Sequence, residues 1–126
     1  MSAIFSMRRA LLLGFFFLIA LAFGAARVAA HAILESSTPA IDSTVTSPTV
    51  PITLRFNVRV DASRSQLRLL FPNASLIDLS AQQTSPDTLA TKVTGLKPGS
   101  YTILWQVLAP DGHITRGEIP FKVANP

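Results

Sequence analysis

From residue 31 onward the chain predicts an all-β fold, a Greek-key β-sandwich of about seven short strands. Three observations carry the prediction. Apolar and polar residues alternate with period two in several stretches. Turn residues separate those stretches, at Pro39, Pro48, Pro51, Pro72, Pro86, Gly95, Pro98, Gly99, Pro110 and Gly112. No window of about 12 residues carries a helical period.

The strands follow in order. Ala32 to Ser36 is a short first candidate. In "ITLRFNVRV" the residues Ile52, Leu54, Phe56, Val58 and Val60 share one face while Thr53, Arg55, Asn57 and Arg59 take the other, which describes a half-buried strand. "QLRLLF" aligns Leu67, Leu69 and Phe71 in the same way. Leu76 to Leu79 and Thr88 to Val93 are the next two, with the polar segment Ser80 to Asp87 between them read as an exposed loop. "SYTILWQVLA" puts Tyr101, Ile103, Trp105 and Val107 on a core face, and Arg116 to Val123 closes the set. "LKPGSY", Leu96 to Tyr101, matches the turn that leads into a tyrosine corner, where the Tyr hydroxyl bonds back to nearby backbone. Trp105 reads as a core residue.

The first thirty residues differ from the rest. Arg8 and Arg9 precede an uncharged apolar run, Ala10 to Ala26, and Val28-Ala29-Ala30 then offers the small residues that a signal peptidase reads. The run is shorter than the roughly 20 residues of a spanning helix. Residues 1–30 are therefore expected to be a cleaved secretory signal and 31–126 the mature domain, without a membrane span. "SMRRALLL" fits the twin-arginine pattern poorly, which favours ordinary Sec export.

Cleavage changes the charge argument. Arg8, Arg9 and Arg27 leave with the signal, so 8 of the 11 Lys and Arg remain against 7 Asp and Glu, a net charge of +1. The whole-chain pI near 10.4 is then no sign of a nucleic-acid partner. The chain has no cysteine, which excludes disulfides, thiolate metal sites and cysteine nucleophiles. There is no G-x-S-x-G elbow and no phosphate-binding glycine loop. "NAS", Asn73 to Ser75, is formally a glycosylation acceptor but is common by chance.

Chemistry is left to the two histidines. Cleavage after Ala30 would make His31 the first residue, whose α-amine and ring Nδ1 can close a six-membered chelate on one metal ion. In "APDGHITRG", Asp111 and His113 flank Gly112, so a carboxylate and an imidazole can point the same way from one loop. Alone, Asp-Gly-His reads as a common turn followed by a loop histidine. Joined to His31, it completes three nitrogens and one oxygen, a set suited to the tetragonal preference of Cu(II) and lacking the soft ligands of Cu(I).

These features together resemble the CopC family of periplasmic copper-resistance proteins over nearly all of residues 31–126. The resemblance is carried by His31-Ala32, "SSTPA" at Ser36 to Ala40, "ITLRF" at Ile52 to Phe56, "LKPGSYTILWQV" at Leu96 to Val107, and "DGHITRG" leading to "FKV". It implies a cupredoxin-like or immunoglobulin-like sandwich that binds one Cu(II) through His31, Asp111 and His113. It further implies periplasmic location, a role in copper homeostasis, resistance or delivery, and a CopD-type inner-membrane transporter as partner. The chain departs from the family twice. Where members often read F-S-E it has Phe56-Asn57-Val58, without the acidic residue, and no methionine follows residue 30, so a methionine-rich Cu(I) site is ruled out.

Two other functions fit part of the pattern. An oxidative copper enzyme could use two histidines as a brace, but a carboxylate from Asp111 in the same plane fills the position that oxygen needs. In an immunoglobulin-like accessory module without metal, His31 would be incidental.

Overall fold

In the computed structural model, which describes residues 31–125, the alternating stretches pair into two sheets with their apolar faces inward. The predicted signal sequence lies outside the described residues. Nine strands are formed among those described: β1 Leu34–Thr38, β2 Ser43–Val45, β3 Val50–Phe56, β4 Gln66–Leu70, β5 Leu76–Leu79, β6 Gln82–Ser85, β7 Thr88–Val93, β8 Gly99–Leu108 and β9 Ile114–Val123. One sheet has the order β1-β3-β7-β6 and the other β2-β9-β8-β4-β5. All pairs are antiparallel except β2 with β9.

The period-two pattern maps onto burial as expected for a sandwich. Val50, Ile52, Leu54 and Phe56 of β3 are buried, and they face Tyr101, Ile103, Trp105 and Val107 of β8 across a core completed by Leu67, Leu69, Leu89, Ile119 and Phe121. Trp105 meets Phe56 edge to face, with ring centroids 5.3 Å apart. The tyrosine corner is present: the Tyr101 hydroxyl donates to the Lys97 carbonyl at 2.7 Å.

Three expectations need correction. The segment Ser80 to Asp87 is more than a loop, because Gln82–Ser85 forms β6 on the edge of the first sheet. β2 adds a ninth strand by pairing with β9. The strand expected from Ile52 to Val60 stops at Phe56, where Asn57 leaves the ladder and the chain passes through a short 3-10 turn at Ala62–Arg64. Val60 stays buried, though as part of that connection rather than of a strand. Among the described residues no helix is long and apolar enough to cross a membrane.

Candidate metal centre

The turn between β8 and β9 is built by its own sequence. Gly112 N–H donates to the Ala109 carbonyl at 3.0 Å, and Ala109 N–H donates to the His113 carbonyl at 3.0 Å. Proline second and glycine fourth are the residues such a turn selects, and Gly112 takes φ 84°, a left-handed conformation that costs a residue with a Cβ. Asp111 and His113 project from this turn toward each other.

Both oxygens of Asp111 are engaged by His113. Its backbone N–H donates to Oδ1 at 3.0 Å, and its ring Nδ1 lies 2.6 Å from Oδ2. The Asp111 side chain is 21% exposed, that of His113 66%. The hydrogen bond from the His113 ring, followed by that from its backbone, holds the Asp111 carboxyl below the usual carboxylate range. Asp111, an anion at neutral pH, is oriented by these two bonds toward His113.

His31 reaches the same place from the other sheet. It precedes β1, and its ring centroid lies 5.0 Å from that of His113 at an interplanar angle of 45°. Two anchors follow it in the chain. Ala32 is buried in the core at 2% exposure, and Ile33 forms a reciprocal pair with Asn57: Ile33 N–H donates to Asn57 Oδ1 at 2.7 Å, and Asn57 N–H donates to the Ile33 carbonyl at 3.0 Å. One ligand atom from each of His31, Asp111 and His113 can be chosen so that all lie within 4.8 Å of one another.

All three residues singled out in the sequence are thus gathered at one exposed point. The donor set, two imidazoles and one carboxylate without sulfur, fits a borderline divalent ion such as Cu(II) or Zn(II) and suits Cu(I) poorly. Sequence reasoning noticed Asn57 only for the acidic residue missing beside it. Its pairing with Ile33 had no sequence signal, since it joins residues 24 apart. An open groove of about 710 Å³ runs beside the Pro110–Gly112 side of the turn, lined by Arg59, Val60, Arg64 and Leu108 among others. The two histidines lie outside its lining.

Comparison with known proteins agrees with the architecture. Residues 34–124 match the CopC domain family model, a stretch that includes Asp111 and His113 and begins after His31. Protein YobA of Escherichia coli K12 is 35% identical over 98 residues, covering 75% of this chain and 79% of YobA. The crystal structure of CopC from Methylosinus trichosporium OB3b superposes with a TM-score of 0.71 at 28% identity, covering 75% of this chain and 95% of that one. PcoC, a methionine-rich copper resistance protein from Escherichia coli, gives a TM-score of 0.61 at 25% identity over 75% of this chain and 99% of its own. With the family pattern spanning nearly the whole described sandwich, the chain belongs to the CopC family.

Proposed function

We propose that this protein is an exported copper(II) carrier that takes one Cu(II) per chain and performs no turnover. In this reading residues 1–30 are removed after Ala30, and the ion is held by the His31 amine and ring, Asp111 and His113. Copper is cargo here. The observation that carries the reading is the convergence of His31, ahead of β1, with the Asp111–His113 turn of the opposite sheet, with candidate ligand atoms within 4.8 Å. The likeness to PcoC, a copper resistance protein, supports copper over zinc as the ion. The periplasm is the compartment that export would give it, and a CopD-type membrane transporter is the acceptor that the family resemblance suggests.

The test is electron paramagnetic resonance of the processed protein with one equivalent of Cu(II). The expected spectrum is axial, with splitting from coordinated nitrogen, and a spectrum identical to that of free copper in the buffer would overturn the reading. The oxidative-enzyme alternative is disfavoured by the carboxylate of Asp111, which as a ligand would take a coordination position that oxygen requires. Copper-loaded protein given reductant and oxygen should accordingly form no oxidised product.

A further inference from the structure

We infer that Asn57 is the residue that positions His31 for copper, an inference that rests on the proposed copper reading. Residues 31–33 lie outside any strand, since β1 begins at Leu34, which pairs with Phe56. The next step of that ladder would join Ile33 to Asn57 through backbone alone. Here the Asn57 backbone donates to the Ile33 carbonyl, but the acceptor for Ile33 N–H is the side-chain Oδ1 rather than the Asn57 carbonyl. An asparagine can make that exchange because its amide oxygen can stand in for a peptide oxygen. The exchange holds the arm in ladder geometry while β3 ends and its chain turns away toward Ala62–Arg64.

The consequence falls on His31. It is two residues from the clamped Ile33, so its Cα stays within roughly 7 Å of a fixed point. Buried Ala32 between them removes most of the remaining freedom. Without the carboxamide, one of the arm's two hydrogen bonds to Asn57 is lost, and the order it supplied at residue 33 would have to be restored whenever copper binds. Ordering one residue's backbone lowers affinity by about tenfold.

The experiment uses protein expressed as the full chain and recovered after export, in three forms: wild type, Asn57→Leu and Asn57→Asp. Leucine is similar in size but accepts no hydrogen bond, whereas aspartate keeps the acceptor. Asn57 is exposed, so neither change disturbs the core. Competition titration should give Asn57→Leu a Cu(II) affinity lower by about tenfold or more, with Asn57→Asp at or above wild type. Hydrogen exchange on the metal-free proteins should find the Ile33 amide protected in wild type and Asn57→Asp and unprotected in Asn57→Leu. Protection lost without loss of affinity would leave Asn57 a purely structural tie and overturn its role toward copper. Equal protection in all three forms would overturn the clamp itself. Wild type that takes up no Cu(II) would overturn the proposed function and with it the purpose given to Asn57, whatever the exchange data show.

Discussion

At the scale of single residues, the pair Asp111 and His113 bears the most chemistry on the fewest atoms. The carboxylate is ionised at neutral pH as any ordinary Asp is, and the His113 ring and backbone, by stabilising its charge, hold its pKa lower still. Copper then competes with one hydrogen bond that is already in place. Replacing either residue by alanine is expected to weaken Cu(II) binding by more than the roughly 100-fold reached when residues that only orient a ligand are changed. The melting temperature should barely move, because both sit in an exposed turn. A copper titration and a thermal melt of each variant check both halves, and unchanged affinity in one variant would remove that residue from the ligand set. A second expectation concerns oxidation state. Soft sulfur ligands select Cu(I), and no methionine or cysteine follows residue 30, so competition against a Cu(I) chelator should find weak binding only. The spacing of Asp111 and His113 was readable in the sequence. Their mutual hydrogen bond was not, because it depends on the left-handed φ of Gly112, which one letter permits but does not impose.

Among the strands, legibility followed burial. β3, β4, β7 and β8 each present one face to the core, so their apolar residues alternate and the pattern can be read. β2 and β6 are edge strands with the sequences "STV" and "QQTS", mostly polar and held by neighbouring backbone, so no period marks them. β9 conceals a different requirement. Gly117 lies directly across from Trp105, and a Cβ there would overlap the indole ring. Gly117→Ala should therefore displace Trp105 from Phe56 and destabilise the fold by roughly 1–3 kcal/mol. Denaturant unfolding and the fluorescence of this single tryptophan would register it, and a variant of wild-type stability and spectrum would mean that the sheet yields at no cost. The β6–β7 connection adds a dependence on acid. The Ser85 hydroxyl, then that of Thr88, hydrogen-bonds the Asp87 carboxylate and lowers its pKa from the usual 3.8. A lowered carboxyl pKa contributes stability that is complete above the unfolded value and is lost as pH falls through the folded one. Melts between about pH 5 and pH 2 should show that loss, and Asp87→Asn should flatten part of it; an unchanged pH profile in that variant would discharge Asp87 from the effect.

For the whole molecule, the site joins what the fold keeps apart. His31 leads into β1 on the edge of one sheet, while the Asp111–His113 turn connects the two longest strands of the other. An ion held between them ties the sheets together, so copper should raise the stability of the entire sandwich, by about 2.7 kcal/mol when free Cu(II) is 100 times Kd. Under the proposed cleavage after Ala30, that linkage depends on where the chain begins. The α-amine of a first residue titrates near roughly 7.7 to 8.0 and is mostly protonated at neutral pH, so it must release a proton to bind metal. Affinity should consequently rise with pH until the amine is free, the amine alone contributing about tenfold per unit below its pKa, while Asp111, already ionised, adds nothing to the slope. One glycine placed before His31 turns the amine into an amide and breaks the chelate ring. It leaves the core untouched, since His31 itself is exposed and the added residue lies beyond it. The extended protein should keep the circular dichroism and metal-free melting temperature of the processed form. It should also bind Cu(II) far more weakly, lose the part of the rise in affinity with pH that comes from the amine, and gain little stability from copper. Equal affinity and equal thermal gain in the two forms would mean that the amine is no ligand and that copper, if held at all, is held by side chains alone.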